Sequence, residues 1–140
     1  MSPANAHFEV QQKVLFRHCD PAGIAFYPRL FEMVNDAIEQ MFSDLIGWPW
    51  QDMHKTHGGP TVSLEAGFVG KCDHGDVLDL CITIQKIGTS SLQLETRALN
   101  DGALRFWVKN TMVCVNNLGH PTAWPNPIVD KLNKAIEATQ

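Results

Sequence analysis

Apolar residues recur at helical spacing after Pro28, and this is the strongest pattern in the chain. The positions are Leu30, Phe31, Val34, Ala37, Ile38, Met41, Phe42, Leu45 and Ile46. They predict a helix of more than four turns that ends at Gly47 and Trp48-Pro49, with Pro28 in its first turn. Because the apolar stripe is wide, we expect this helix to lie against a large sheet.

Five further segments are typical of β-strands, and Gly or Asn/Asp-Gly turns separate most of them. The predicted strands are Phe8 to Arg17, Thr61 to Val69, Val77 to Ile87, Ser91 to Leu99 and Leu104 to Val115. The tripeptide Asn100-Asp101-Gly102 between two alternating runs indicates a hairpin. Trp50 to His57 is predicted to form a short second helix or a lid, and Pro127 to Ala138 a C-terminal helix.

These elements predict an α+β fold in which an antiparallel sheet wraps around one dominant helix. The 140 residues suit a single domain spanning residues 1–140, and the 44% apolar content is ordinary for a globular protein. Such a sheet leaves an edge or a face open. Homo-oligomerisation would cover it.

Composition argues against several other classes of protein. The net charge of -4 and the lack of a Lys/Arg cluster argue against nucleic-acid binding. Met1 to His7 has no secretory pattern and no apolar run reaches membrane-spanning length, so we expect a cytoplasmic protein. Cys19, Cys72, Cys81 and Cys114 are scattered, which favours free thiols over a zinc site.

The segment Asp20-Pro21-Ala22-Gly23 places a carboxylate and a small-residue turn directly before the long helix. A helix start carries free N–H groups and partial positive charge, so an oxyanion could be stabilised beside this carboxylate. A purely structural interpretation is also available: Asp20 caps a turn, and Gly23 permits an unusual backbone angle.

Several of these residues match a known family. Asp20-Pro21-Ala22-Gly23-Ile24, followed by Tyr27-Pro28 and a long helix, resembles the signature of the 4-hydroxybenzoyl-CoA thioesterase family. The similarity extends over residues 10 to 120, through Gly59 to Ser63 with Phe68 and through Gly75 to Leu78. The resemblance implies a hot-dog fold, a dimer or dimer of dimers with active sites at subunit interfaces, and hydrolysis of an acyl-CoA thioester.

The resemblance also implies roles for individual residues. Asp20 matches the catalytic aspartate, and Tyr27 matches the residue whose backbone N–H polarises the thioester carbonyl. Chemically, Asp20 could attack directly to give a mixed anhydride or could deprotonate water. Gly23 would allow substrate to approach the backbone, and His18 would orient Asp20 or line the pocket. No metal or cofactor is expected, since coenzyme A is part of the substrate.

This chain departs from the 4-hydroxybenzoyl-specific pattern at two places. Eight residues after Tyr27 that pattern has an aspartate that binds the phenolic hydroxyl, whereas here Asn35 stands there and Asp36 follows about 100° around the helix. The basic cluster for the nucleotide phosphates is reduced to Lys86, with Thr89 and Ser90 as neutral candidates. The acyl group therefore stays open between 4-hydroxybenzoyl, another aryl group and a short acyl group.

Other candidates have simpler explanations or secondary roles. Glu65 is a second carboxylate that could face the pocket, although Asp20 already supplies one. Cys19 is interpreted as structural, because buried free cysteines are common. His54 and His57 are interpreted as solvated loop residues, because metal sites need three or four convergent ligands. Two rival functions remain on the same fold: a non-catalytic acyl-CoA-binding protein, and a 3-hydroxyacyl-thioester dehydratase with His18 as its acid/base.

Overall fold

A computed structural model describes residues 6–139, which form one antiparallel sheet and three α-helices. The strands are β1 (Phe8–Lys13), β2 (Thr61–Phe68), β3 (Val77–Ile87), β4 (Ser91–Asn100) and β5 (Ala103–Val113). Their order in the sheet is β1-β3-β4-β5-β2, so β1 and β2 are the two edge strands. The predicted α+β class and five-stranded sheet are confirmed.

The long helix α1 (Tyr27–Met41) covers one face of this sheet and supplies much of the core. Its inward side chains are Leu30, Met33, Val34, Ala37, Ile38 and Met41, all buried. A wider π-type turn, Phe42–Ile46, extends the helix beyond Met41, and this helical segment ends at Gly47 with φ 74°. This positive φ is the left-handed conformation that glycine adopts at helix ends without steric cost.

Two shorter helices complete the fold. The second helix α2 (Trp50–Met53) is shorter than the segment from Trp50 to His57 that the sequence predicts. The C-terminal helix α3 (Asn126–Ala138) packs against the Phe42–Ile46 turn and β3 through Ile128, Leu132 and Ala135.

The prediction that the first strand continues to Arg17 is wrong. Strand β1 ends at Lys13, and Phe16–His18 form a 3-10 turn. The His18 side chain explains the difference, because its Nδ1 accepts a hydrogen bond from the Leu15 backbone N–H at 2.9 Å. That bond supplies the Leu15 donor with a local partner in place of a strand neighbour.

The segment after the 3-10 turn lies at one end of the sheet. The Ala25 N–H donates to the Cys72 carbonyl at 2.8 Å, and the His74 N–H donates to the Gly23 carbonyl at 3.3 Å. These bonds hold residues 20–25 beside the loop that leads into β3. Strand β3 then has 11 residues, so the β3–β4 turn lies roughly 33 Å away at the opposite end of the sheet.

Candidate active site

Asp20 sits in a turn closed by its own hydrogen bonds. Its Oδ1 accepts from the Ala22 N–H at 2.9 Å, and its carbonyl accepts from the Gly23 N–H at 3.0 Å. The structural interpretation of Asp20 as a turn cap therefore accounts for one carboxylate oxygen. Among residues 6–139, Oδ2 has no hydrogen-bond partner, and the half-buried side chain leaves it available for chemistry.

Gly23 completes this turn with φ +81°, a conformation that side-chain-bearing residues rarely adopt. A Cβ placed on Gly23 would meet no heavy atom of this chain within 4 Å. The backbone angle, rather than crowding inside the chain, therefore favours glycine at this position.

The first turn of α1 presents a single free N–H group. Pro28, the second residue of the helix, has no N–H, and the Arg29 N–H already donates to the Phe26 carbonyl at 2.8 Å. The Tyr27 N–H has no acceptor among the residues that the structure describes. It therefore combines an unused donor with the partial positive charge of the helix start.

His18 is a structural neighbour of Asp20 and does not line an open pocket. It is only 3% exposed, and its carbonyl oxygen accepts from the Phe26 N–H at 2.9 Å. Burial lowers the pKa of His18 below its usual value, and the Arg17 charge lowers it further. The neutral ring, held through Nδ1, thus fixes the segment that carries Asp20.

Cys19, the next residue, is engaged in the same segment. Its Sγ donates to the Leu15 carbonyl at 3.5 Å. This contact agrees with the structural interpretation of that thiol.

Aromatic side chains connect the start of α1 to the edge strand β2. The Tyr27 ring lies 6.0 Å from Phe31 and 6.2 Å from Phe68, between ring centroids. Tyr27 is 55% exposed and Phe68 52% exposed, although both are large aromatic side chains. This aromatic cluster borders the position at which a thioester could meet the Tyr27 N–H.

A cavity of about 140 Å³ opens between α1 and the sheet, below the aromatic cluster. We call it the helix–sheet cavity. Its walls are Phe31, Val34, Asn35 and Ile38 from α1, Thr61 and Leu64 from β2, and Val108 and Asn110 from β5. Asn35 lies eight residues beyond Tyr27, roughly 12 Å along the helix axis, and helical side chains lean back toward the N-terminus.

A second cavity of about 430 Å³ adjoins the first and shares Asn35 and Thr61 with it. Its other walls come from Trp50, Met53, His54, Met112 and the loop of residues 58–60. The buried Trp50 Nε1 has no hydrogen-bond partner within residues 6–139. Asn35 therefore stands at the junction of the two spaces.

Sequence reasoning identified Asn35 but missed the residues that face it across the helix–sheet cavity. The buried positions of β5 alternate as Phe106, Val108, Asn110 and Met112, so an asparagine occupies an inward position. The sequence does place an asparagine among the alternating apolar positions of this strand. Which of these positions face the cavity becomes clear only from the structure of β5.

Other predicted site residues lie away from Asp20 within one chain. Glu65 pairs opposite Lys109 and lies on the sheet face opposite the helix–sheet cavity, because Leu64 faces that cavity and neighbouring strand residues alternate. Lys86, Thr89 and Ser90 lie at or beside the β3–β4 turn, at the far end of the sheet. One chain alone therefore does not bring these residues to the Asp20 turn.

The histidines proposed as solvated are bonded locally. His54 Nδ1 lies 2.6 Å from the Trp50 carbonyl, and His57 Nδ1 lies 2.7 Å from Thr56 Oγ1. Within residues 6–139 no three His, Cys, Asp or Glu side chains are grouped to hold a metal ion, and all four cysteines are free. Over the same residues no helix is long and apolar enough to cross a membrane.

Comparison with known proteins places these features in context. No family model matches the chain. A 4-hydroxybenzoyl-CoA thioesterase from Pseudomonas sp. (strain CBS-3) is 32% identical over 74 residues, which is 51% of this chain and 52% of that protein. The match thus spans about half the length of this relative.

Solved structures match over most of the chain. A 1,4-dihydroxy-2-naphthoyl-CoA thioesterase from Synechocystis superposes with a TM-score of 0.84 at 18% identity, covering 90% of this chain and 95% of that one. A gentisyl-coenzyme A thioesterase superposes with a TM-score of 0.81 at 22% identity, covering 87% and 99%. A Staphylococcus aureus protein solved in complex with CoA gives a TM-score of 0.86 at 16% identity, covering 93% and 84%. This chain has the hot-dog fold, and its resemblance to the 4-hydroxybenzoyl-CoA thioesterase family is confirmed.

Proposed function

We propose that this protein is a thioester hydrolase that converts an acyl-CoA to the free acid and coenzyme A. One observation carries the proposal: the turn that leaves Asp20 Oδ2 free leads directly into a helix whose first turn offers one unused donor, the Tyr27 N–H. A carboxylate and a fixed N–H donor are the two groups that acyl transfer from a thioester requires.

In the proposed mechanism the Tyr27 N–H donates to the thioester carbonyl oxygen and stabilises the negative charge that develops there. Asp20 Oδ2 then attacks the carbonyl carbon, the C–S bond breaks, and the CoA thiolate leaves and takes up a proton. Water hydrolyses the resulting mixed anhydride and restores the carboxylate. Alternatively Asp20 removes a proton from water, which attacks the carbonyl directly. Both routes consume one water and release one acid and one thiol.

The size of the helix–sheet cavity supports a compact acyl group. Its volume of about 140 Å³ is close to that of an apolar protein cavity of about 150 Å³ that accommodates benzene. Phe31, Ile38 and Val108 give it the apolar walls that an aromatic ring prefers. We therefore propose an aryl acyl group, in keeping with the aryl-CoA named for the curated relative.

The edge strand β2 supports a homodimer. Val62, Leu64, Phe68 and Val69 are all at least 49% exposed on or beside a strand that pairs with β5 alone in the described sheet. Unpaired strand edges with exposed apolar residues favour association, and a two-fold axis would pair two copies of β2 antiparallel.

That two-fold arrangement would also complete the binding site. Phe68 ends β2 near the start of α1, whereas Thr61 begins β2 near the β3–β4 turn. Antiparallel pairing reverses the partner sheet, so it would carry Lys86 of the partner subunit, with the partner's Thr89 and the partner's Ser90, to the Asp20 end. The partner would then supply the cation for the CoA phosphates. A tetramer built from two such dimers stays a prediction.

The rival dehydratase chemistry fits the geometry less well. It requires an exchangeable proton on a histidine near substrate, but His18 is 3% exposed and its Nδ1 already accepts the Leu15 N–H. A non-catalytic acyl-CoA-binding function would use the same cavity, so only a measurement of turnover distinguishes it from hydrolysis.

The test is release of free thiol from a panel of acyl-CoAs with aryl, short-chain, long-chain and 3-hydroxyacyl groups. We expect turnover with aryl substrates above that with long chains. Calorimetric binding of acyl-CoA without thiol release would favour the non-catalytic protein, and formation of an enoyl product without thiol would favour the dehydratase. Either result contradicts the proposed function.

A further inference from the structure

Asn110 carries a buried hydrogen-bond acceptor that no group of the described chain uses. Its side chain is 5% exposed, and its Oδ1 has no partner within residues 6–139. The amide nitrogen has only a long contact, 3.5 Å to Thr61 Oγ1. Nearly all buried polar atoms in proteins are paired, so an unpaired amide oxygen inside a cavity wall needs an explanation.

Neither strand neighbour of Asn110 offers its Oδ1 a side-chain hydrogen-bond donor. Across the sheet it pairs opposite Leu94 of β4 on one side and Leu64 of β2 on the other. Toward the helix it borders the same cavity as Phe31 and Val34. An apolar side chain at this position would remove the unpaired oxygen without disturbing these contacts. The amide is therefore costly for folding alone, and a ligand that donates to it would remove that cost.

We propose that Asn110 is a specificity-determining residue, whose Oδ1 accepts a hydrogen bond from a donor group on the acyl moiety. The inference rests on the proposed thioesterase function and deepens it. Asn110 lies on the sheet wall of the helix–sheet cavity, opposite the α1 wall that carries Asn35. A neutral amide in an apolar cavity selects a neutral donor, such as a hydroxyl or amino group. It disfavours a carboxylate, which has no proton to donate.

Substrates that differ only in the donor provide the first test. Benzoyl-CoA, 4-fluorobenzoyl-CoA, and 3- and 4-hydroxybenzoyl-CoA have similar sizes, but only the hydroxylated pair can donate a hydrogen bond. We expect kcat/KM for one hydroxylated substrate to exceed that of the fluoro and unsubstituted analogues at least about tenfold. This measurement uses the native chain and does not depend on any variant folding.

The second test is Asn110→Leu, which removes the acceptor while keeping the branching of the side chain at Cγ. We expect the ratio of kcat/KM for the hydroxylated substrate to that for its fluoro analogue to fall about tenfold or more. Thr96→Val is the matched control. Thr96 is also fully buried on this sheet face with an unpaired Oγ1, but it pairs opposite Val108 and does not line the cavity. The ratio should not change in Thr96→Val.

The outcomes separate the two proposals. If aryl-CoAs are hydrolysed but the hydroxylated and fluoro substrates react equally, the role of Asn110 is overturned and the thioesterase stands. If Asn110→Leu leaves the ratio of kcat/KM for the hydroxylated and fluoro substrates unchanged, the role of Asn110 is likewise overturned and the thioesterase stands. If no acyl-CoA releases thiol, the proposed function itself fails.

Discussion

The backbone N–H of Phe26 donates to the carbonyl oxygen of His18 at 2.9 Å, and this bond closes the segment that carries Asp20. The His18 side chain secures the other side, because its Nδ1 accepts the Leu15 N–H at 2.9 Å. One buried residue therefore fixes both the turn with the carboxylate and the N-cap of α1. The relative position of Asp20 and the Tyr27 N–H depends on it.

Protonation of His18 should disturb this arrangement. Burial lowers its pKa below the usual 6.5, so the unfolded chain binds more protons than the folded chain between the two pKa values. This contribution to the free energy of unfolding is present above pH 6.5 and lost as pH falls through that window. In His18→Asn the new side chain can still accept a hydrogen bond but cannot titrate. We expect its unfolding midpoint, measured in denaturant, to fall less than that of the native chain between pH 7.5 and pH 5.

His7 provides the matched control for this experiment. Its Nδ1 likewise accepts a backbone N–H, from Ile84 at 2.8 Å, and burial also lowers its pKa. His7→Asn should flatten the pH dependence of stability without altering the pH profile of thiol release. An activity profile that is unchanged in His18→Asn would contradict the positioning role of His18.

The Tyr27 N–H can be removed without removing the helix. Proline is well tolerated at the first helical position, and Phe26 already has the extended conformation (φ -75°, ψ 129°) that a following proline requires. Tyr27→Pro should lower kcat about 100-fold or more, the cost of losing one oxyanion donor. Tyr27→Ala removes the same ring but keeps the donor, so the difference in kcat between the two variants isolates the N–H. Equal kcat values would rule out this donor.

The proposed dimer makes the exposed apolar edge of β2 essential for activity. Val62 is 61% exposed on β2 and does not line the helix–sheet cavity. Val62→Lys would place a charge on the exposed apolar edge of β2 in each copy, and we expect a monomer in sedimentation analysis together with a loss of thiol release. Leu118→Lys alters a side chain that is 79% exposed in a loop after β5, and it should change neither. A fully active monomer would show that one chain holds the complete site.

The sequence predicted the fold well because its strongest patterns are local. The 3.6-residue period in α1 and the Asn-Asp-Gly turn between β4 and β5 fix elements without reference to distant residues. The turn forms as expected, with φ 49° at Asp101 and 81° at Gly102. The predicted first strand is too long because Val14 and Phe16 continue its apolar alternation. In the structure the Leu15 N–H donates to the His18 side chain instead of to a strand neighbour, and the strand ends before it.

The candidate site was only partly predictable from sequence. Asp20, Gly23 and Tyr27 lie within eight residues of one another, so a linear motif could reveal them. Asn110 and Asn35 line one cavity only because β2 pairs with β5 and α1 lies over both strands. Long-range register of this kind is not encoded in a local pattern. The separation of Lys86 from Asp20 likewise follows from the direction of β3 and not from the turn motif.

Asp20→Asn tests the central claim most directly, because the amide oxygen can still accept the Ala22 N–H and preserve the turn. Asp79→Asn serves as control, since that carboxylate is bonded to Gln11 on the outer face of the sheet. With the aryl-CoA that the native chain hydrolyses best, we predict that thiol release falls at least about 100-fold in Asp20→Asn while Asp79→Asn keeps its rate. Activity of Asp20→Asn within a few fold of the native chain would contradict the assignment of Asp20 as nucleophile or base.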